Sequence, residues 1–244
     1  MKKAGSEIWA IIPARGGSKS IPHKNIALLN NRPLIEYVIN TAQKSKNIDK
    51  TICSTDDMKI KQVCLENNIV VHDRPKQLGE DSTHVINVII ELLNEWGKRG
   101  QLLPFAIVLL QPTSPFVLPE HIQMCVEALI HDHKALSSQT ISLLPHHYHA
   151  YNQREVDNGY VNFRFMRQRR IGYNKQTKPV FYAFGNLVVT KTDALLRKKE
   201  VFATPSIPCE IERKYAIDVD GPEDLELAEY MLRERKVVLP HMEG

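Results

Sequence analysis

A chain of 244 residues with 43% apolar and 25% charged side chains is ordinary for a soluble globular protein and is long enough for one substantial domain. The net charge of +4 suits an anionic substrate, but it is too small to indicate a nucleic-acid partner. No apolar run reaches membrane-spanning length and the N-terminal run is too short for a signal peptide, so we expect no membrane partner and a cytoplasmic location.

The cysteines point to the same compartment. They contain no C-x-x-C pair and lie mostly in apolar contexts, whereas metal sites and redox motifs use closely spaced cysteines. We therefore predict buried free thiols in a reducing environment at Cys53, Cys64, Cys125 and Cys209.

Short apolar runs alternate with amphipathic segments along the chain. This alternation is typical of an α/β domain in which helices cover a mostly parallel sheet. The predicted strands are 7–13, 50–55, 69–72, 105–110, 135–141 and 181–190. The predicted helices are 33–46, 57–67, 84–98, 119–131 and 222–235. We predict a single domain, 1–244, without internal repeats.

The alternation breaks between about residues 143 and 180. Within this stretch, residues 160–165 alternate like an exposed strand, and a basic, glycine-containing segment follows. We interpret the stretch as an insertion that projects from the main sheet, as either a hairpin arm or a lid. Insertions of this kind close over a ligand or reach a second subunit, and we expect a homodimer.

The first predicted strand leads into a loop that is rich in glycine and cations. The loop reads Pro13-Ala14-Arg15-Gly16-Gly17-Ser18-Lys19-Ser20-Ile21-Pro22-His23-Lys24-Asn25. It matches neither the Gly-x-Gly-x-x-Gly dinucleotide fingerprint nor the Walker loop. A Gly-Gly pair alone would fit a tight strand-to-helix turn. The added Arg15, Lys19 and Lys24 favour a polyphosphate site, because clustered N–H groups and cations bind phosphate oxygens.

A pair of carboxylates near the C-terminus is the second strong signal. Asp218 and Asp220 are two residues apart on an extended segment, so they project to the same face. Alone, Asp-x-Asp before Gly-Pro fits helix capping and turn chemistry as well. Beside a phosphate loop, the pair favours Mg²⁺, which binds through one or two carboxylates together with substrate phosphates.

Further polar residues follow other predicted strands. Gln111, Thr113 and Ser114 come directly after the fourth strand, where a doubly wound sheet builds its ligand crevice, although a proline-bounded turn fits them equally. Arg74 and the segment 80–83 follow the third strand, where a surface loop is the alternative.

Together these segments resemble the acylneuraminate cytidylyltransferases, or CMP-sialic acid synthetases. The first motif of that family, Ile-Pro-Ala-Arg-Gly-Gly-Ser-Lys-Gly-Ile-Pro-x-Lys-Asn, is matched at 12–25 with Ser20 in place of the last glycine. The Leu-Gln-Pro-Thr-Ser-Pro motif is unchanged at 110–115, and Ile-Asp-x-Asp lies at 217–220. Ser-Thr-Asp at 54–56 and Arg74-Pro75 also match. The resemblance covers most of the chain in order, and it implies a Rossmann-like nucleotidyltransferase fold.

The resemblance also implies the reaction and the residues that carry it. The anomeric hydroxyl of a nine-carbon 2-keto sugar acid would attack the α-phosphorus of CTP and release pyrophosphate. The catalytic residues would be Arg15, Lys24, Asp218 and Asp220, the aspartates also holding Mg²⁺. The nucleotide would contact Ala14, Arg15, Gly16, Gly17, Ser18, Lys19, Asn25, Arg74, Asp81, Ser82 and Thr83. The sugar acid would contact Gln111, Thr113, Ser114, Lys175, Gln176, Tyr182 and Phe184.

The sugar half departs from the family pattern. Family members carry Arg-x-Asn-Gly-Ala-Ile-Tyr on the late strand, and here Tyr182 takes the place of the arginine and Phe184 that of the asparagine. The pocket wall becomes more apolar, which favours a more deoxygenated acid of the legionaminic or pseudaminic kind over N-acetylneuraminic acid. Two alternatives are a synthetase for the eight-carbon acid KDO and a catalytically weak nucleotide-sugar-binding protein.

Overall fold

The computed structural model describes residues 6–80, 83–172, 174, 176 and 178–242. Its strands are β1 (Ile8–Pro13), β2 (Leu28–Leu29), β3 (Arg32–Pro33), β4 (Lys50–Thr55), β5 (Val70–Asp73), β6 (Ala106–Leu110), β7 (Ser137–Leu143), β8 (Arg154–Asp157), β9 (Tyr160–Phe163), β10 (Tyr182–Lys191) and β11 (Ser206–Glu210). Its α-helices are α1 (Leu34–Lys44), α2 (Met58–Glu66), α3 (Val85–Lys98), α4 (Pro119–His131), α5 (Met166–Ile171), α6 (Thr192–Lys198) and α7 (Pro222–Arg233).

A seven-stranded sheet forms the centre of this described part, in the order β11-β7-β10-β6-β1-β4-β5. Strand β10 runs antiparallel to β6 and β7, whereas the other neighbouring pairs are parallel. Strands β1 and β6 are buried along nearly their whole length, which is why they read as continuous apolar runs. The expected mostly parallel sheet flanked by helices is confirmed.

Helices cover both faces of the sheet. On one face, α1, α2 and α4 pack against the strands through buried side chains such as Ile39, Ile60 and Ile122. On the other face, α3 and α6 do so through Leu92 and Leu195. Because helices cover both faces, a ligand can approach the sheet at the edge where the parallel strands end.

The predicted strands and helices recur with shifts of a few residues, and several short elements were not predicted. Strand β11 contains Pro208, which cannot donate to a ladder, but an edge strand tolerates proline. Helix α6 spans seven residues, too few for a clear helical period. The β2–β3 hairpin turns through Asn30 and Asn31, both with positive φ, which asparagine adopts more readily than most residues.

The segment between β7 and β10 forms a small sheet of its own. Strands β8 and β9 pair as an antiparallel hairpin, and the turn residues Asn158 and Gly159 both have positive φ, as a two-residue hairpin loop requires. Several apolar side chains of this arm are largely exposed, among them Val156 at 74% and Tyr160 at 74%. The predicted single-domain organisation stays a prediction.

All four cysteines are buried and form no disulfide, which confirms the expected free thiols. Across the described residues, we find no helix with the length and apolar character that crossing a membrane demands.

Candidate active site

A cavity of about 470 Å³ opens where β1, β5 and β6 end. It gathers residues from segments that are far apart in sequence. Its lining comprises Pro13, Arg15, Gly17, Ser18, Lys19, Ser20, Lys24, Asn25, Arg74, Leu78, Glu80, Thr83, Val85, Val88, Gln111, Pro112, Thr113, Asp218 and Asp220. Most of the residues that the sequence singled out for the nucleotide and the metal therefore share one space.

Contacts within the glycine-rich loop hold it at the mouth of this cavity. The amide of Asn25 donates to the carbonyl of Arg15 at 2.8 Å, and the N–H of Gly16 donates to Asp56 Oδ1 at 3.0 Å. A Cβ at Gly16 would lie 2.5 Å from Asp57 Oδ2, so the close approach of the two loops requires glycine there. A Cβ at Gly17 would meet nothing within 4 Å. Gly17 thus leaves its backbone open to a ligand.

The cavity carries cations from the loop and from the residue that follows β5. Arg15, Lys19, Lys24 and Arg74 line it together with the carboxylates of Glu80, Asp218 and Asp220. Clustered cations in a partly enclosed site attract polyphosphate and stabilise the charge that develops on a leaving phosphate.

The loop cation Lys24 is largely enclosed by its surroundings. Its side chain is 15% exposed, and Nζ lies 3.4 Å from the carbonyl oxygen of Asp220 and 3.6 Å from Asp220 Oδ1. The lysine thereby joins the phosphate loop to the carboxylate pair. A charge in this position can act on phosphate and on the aspartates at once.

Asp218 and Asp220 have the character of a hard-cation site. The backbone N–H of Val219 donates to the carbonyl of Thr113 at 2.7 Å, which anchors the segment beside β6. Burial raises the pKa of Asp218 above its ordinary value, the Thr113 side chain opposes this shift, and the charge of Asp220 adds to it. Two carboxylates that repel each other over a cavity fit the donor set of Mg²⁺.

Asp218 and Asp220 are not the residues that cap helix α7. The N–H groups of Asp220 and Gly221 donate to Asp224 Oδ2 at 3.0 and 2.9 Å, so Asp224 caps the start of α7. The capping alternative for Asp218 and Asp220 is therefore met by another residue.

Ser20, which replaces a family glycine, has a defined contact. Its hydroxyl donates to the carbonyl oxygen of Asp220 through a short hydrogen bond. With the contact from Lys24, this hydrogen bond gives a second link between the phosphate loop and the segment that carries Asp218 and Asp220. The loop is thus reinforced at the position where the motif departs from the family.

Apolar side chains also line the cavity. Leu78, Val85 and Val88 form this apolar wall, and the polar Arg74 and Thr83 line the same cavity. Burial lowers the pKa of Arg74, and nearby Asp56 opposes that shift. The predicted residues Asp81 and Ser82 lie outside the described residues. Apolar side chains and a guanidinium in one cavity can accept a nucleobase.

Several predicted residues lie away from the cavity lining. Ala14 is fully buried in the core, and Ser114 is buried, with its N–H donating to the carbonyl of Gln111. Neither residue is among those that line the cavity, and their predicted ligand contacts stay predictions. Gln111 and Thr113 do line it. The N–H of Gly16 donates to Asp56, and its predicted nucleotide contact stays a prediction.

Tyr182, Phe184 and Gln176, which were predicted to bind the sugar acid, are not among the residues that line this cavity. Tyr182 pairs with Leu143 in the sheet, and the Phe184 ring packs edge-on against Phe202 with centroids 5.3 Å apart. Gln176 is exposed, and Lys175 lies outside the described residues. The sugar-binding role of these four residues stays a prediction.

Two features were not predicted from the sequence: the apolar wall, and a hydrogen-bonded network around the buried His72. Val85 and Val88 read as ordinary helix core, and Leu78 lies in a short turn. Behind Arg74, His72 Nδ1 lies 2.9 Å from Ser54 Oγ. Its signal was weak, because a single histidine at the end of an apolar strand is more often a packed core residue than part of a site.

The chain is similar to known proteins over nearly its whole length. The cytidylyltransferase family model matches residues 9–240. A CMP-N,N'-diacetyllegionaminic acid synthase of Legionella pneumophila is 30% identical over 229 residues, covering 92% of this chain and 96% of that protein. An N-acylneuraminate cytidylyltransferase of Streptococcus agalactiae serotype V is 27% identical over 243 residues, and the chain spans 57% of that longer relative.

The architecture also recurs in a solved structure. A CMP:2-keto-3-deoxy-manno-octonic acid synthetase complexed with CTP superposes with a TM-score of 0.71 at 15% identity, covering 94% of this chain and all of that one. At that identity the likeness concerns the fold alone. The match of the family model over nearly the whole chain identifies it: the protein belongs to the cytidylyltransferase family.

Proposed function

We propose that the protein transfers CMP from CTP to the anomeric hydroxyl of a nonulosonic acid and releases pyrophosphate. The single observation that carries the proposal is the cavity in which loop cations, an apolar wall and two carboxylates converge. The family match and the names of the long-matching relatives support the same chemistry.

The cations act on the phosphates of CTP. In this mechanism the sugar hydroxyl oxygen forms a bond to the α-phosphorus while the bond from that phosphorus to pyrophosphate breaks, so negative charge grows on the leaving group. Arg15, Lys19 and Lys24 line the cavity from one loop, in which the Asn25 side chain bonds to the carbonyl of Arg15 and Lys24 Nζ lies 3.6 Å from Asp220 Oδ1. Preorganised cations of this kind stabilise developing charge without having to reorient.

The base of CTP would lie against the apolar wall. Leu78, Val85 and Val88 can pack on its ring face, while Arg74 presents N–H donors at the edge. The pairing edge of cytosine offers two acceptors, O2 and N3, whereas uracil has a donor at N3. A site that places a cationic donor there rejects uracil, because the mismatched pair leaves a buried polar group unsatisfied.

Asp218 and Asp220 would hold the Mg²⁺ that we propose as cofactor. When bound, such an ion neutralises phosphate charge and orients the triphosphate. Asp218, whose pKa is raised by burial, must be ionised to serve as a ligand. Lys24 keeps Asp220 in reach of the loop while itself remaining at the cavity.

The arm formed by β8, β9 and α5 is the proposed contact between two copies of the chain. Its exposed apolar side chains include Val156, Val161 at 66% and Ile171 at 82%. Burying such side chains on a second copy removes them from water, which favours association. The cytoplasmic location remains a prediction that the buried free thiols suit.

The arm's role is tested by a paired substitution. Val156→Glu with Ile171→Glu is expected to convert a dimer to a monomer in light scattering, because a charge buried at an interface is costly. Leu65→Glu, at a comparably exposed apolar site on α2, is the control and should leave the mass unchanged. A wild-type protein that is monomeric at the same concentration would contradict the assignment.

The sugar preference is a separate prediction. We expect kcat/KM with legionaminic or pseudaminic acids to exceed that with N-acetylneuraminic acid by about tenfold or more, because Tyr182 and Phe184 replace polar family residues. Pyrophosphate release measured with these three acids and KDO gives the comparison. A clear preference for N-acetylneuraminic acid would show that the late strand was misinterpreted, and a preference for KDO would favour the eight-carbon alternative.

A further inference from the structure

A chain of hydrogen bonds starts at Arg74 on the cavity wall and runs away from the cavity. Arg74 Nη2 donates to the carbonyl of Ser54 at 2.6 Å, and its Nε donates to Ser54 Oγ at 3.3 Å. Ser54 Oγ in turn lies 2.9 Å from His72 Nδ1. Ser54, His72 and Arg74 are all buried, so each polar group here depends on its protein partners.

Two carboxylates of α3 close the far end of this chain. Glu91 and Glu95, one helical turn apart, each place Oε2 2.9 Å from His72 Nε2. The hydrogen bond goes to Glu95, and Glu91 Oε2 has no hydrogen-bond partner in the described part of the chain. Two carboxylates beside one ring nitrogen favour a proton on that nitrogen.

When His72 is neutral, this proton fixes the direction of each hydrogen bond along the chain from His72 to Arg74. With Nε2 protonated, Nδ1 is an acceptor and takes the single hydroxyl hydrogen of Ser54. The oxygen of Ser54 is then free to accept from Arg74. With the opposite tautomer, the Ser54 hydroxyl would lose this acceptor, and Nε2 would face two carboxylates without a proton between them. The arrangement therefore selects one tautomer and one hydroxyl orientation.

The same residues connect three elements that form one side of the cavity. Ser54 belongs to β4, His72 to β5, and the glutamates to α3, the helix that also contributes Val85 and Val88 to the apolar wall. A hydrogen-bonded link between them sets where the guanidinium lies relative to that wall. The bonds to Ser54 use two of the five N–H groups of Arg74, which leaves others for a ligand.

We propose that His72 is a positioning residue for nucleobase recognition. Through Ser54, it holds the guanidinium of Arg74 in the orientation that presents N–H donors to the acceptor edge of cytosine. The inference rests on the proposed use of CTP and adds a residue that does not itself touch the nucleotide.

Two amide substitutions separate this role from a purely structural one. In His72→Asn the amide oxygen can take the place of Nδ1 and keep the bond to Ser54, whereas in His72→Gln the amide takes the place of Nε2 and keeps only the bond to Glu95. We expect His72→Asn to bind CTP within about threefold of wild type, and His72→Gln to bind it about tenfold more weakly with less discrimination against UTP. Ser54→Ala should behave like His72→Gln.

The measurement is the Kd of CTP and of UTP by titration calorimetry, which needs no sugar acid. His133→Gln, at an exposed histidine before β7, is the matched control. Thermal unfolding can be followed by tryptophan fluorescence, because the Trp96 ring lies 6.0 Å from that of His72. Equal losses in both His72 variants, or losses that follow their melting temperatures, would overturn the positioning role. Normal selectivity of His72→Gln, in a protein whose wild type binds CTP, would also overturn the positioning role. A wild type that does not bind CTP would refute the proposed function itself.

Discussion

Replacing either Asp218 or Asp220 by asparagine is expected to lower turnover by at least about a hundredfold while the protein stays folded. The amide keeps the size of the side chain but loses the charge that a hard divalent cation requires. Steady-state rates at limiting Mg²⁺ provide the measurement. Asp193→Asn, at an exposed position on α6, is the control and should retain activity.

The stability of the Asp218 variant gives this prediction a second readout. Burial raises the pKa of Asp218 above its unfolded value, so the ionised carboxylate is disfavoured in the folded state. Its contribution to folding therefore becomes less favourable as the pH rises through the folded pKa. In metal-free buffer at neutral pH, Asp218→Asn should be at least as stable as wild type, and any gain should shrink in acid. Near-normal activity of both asparagine variants would refute the metal assignment.

Removing a cation from the phosphate loop should have an effect of similar size. Lys24→Ala and Arg15→Ala are each expected to raise the barrier by about 2.7–4 kcal/mol, as removal of a donor aimed at developing charge does in other enzymes. Lys24 is enclosed between the loop and Asp220, so water replaces its charge poorly. The measurement is kcat with saturating CTP, compared with melting temperature.

A surface lysine provides the comparison for the loop variants. Lys46→Ala, at an exposed position after α1, should change neither kcat nor stability. If Arg15→Ala fails to fold while Lys46→Ala folds normally, Arg15 serves a structural ion pair and not the phosphates. If Lys24→Ala keeps a normal kcat, the loop does not stabilise the leaving group.

The sheet was predictable from sequence because burial on both faces leaves a plain signature. Strands β1 and β6 are uninterrupted apolar runs, and the polar residues that follow them must lie at one edge of a parallel sheet. That rule predicts that Arg15, Gln111 and Arg74 lie close together, and all three line the cavity. The Asp218–Asp220 segment lies at the same edge, held by the backbone hydrogen bond from Val219 to Thr113. No local sequence pattern predicts that hydrogen bond.

Other features depend on packing between distant elements, and so the sequence could not supply them. The wall of Val85 and Val88 depends on how α3 lies across the sheet, since their spacing is that of any buried helix face. The link from His72 to Glu95 depends on the same placement. The contact of the Phe184 ring with Phe202 likewise depends on packing that alignment to a family motif does not reveal.

The most direct test of the account is to identify the product formed from CTP, Mg²⁺ and a legionaminic- or pseudaminic-type acid. Mass spectrometry and phosphorus NMR should show a CMP-linked sugar acid and pyrophosphate in equal amounts, with no product when UTP replaces CTP or when Asp218→Asn replaces the wild type. Binding of CTP without formation of any CMP-linked product across a panel of nonulosonic acids and KDO would contradict the account and favour a nucleotide-binding protein without transferase activity.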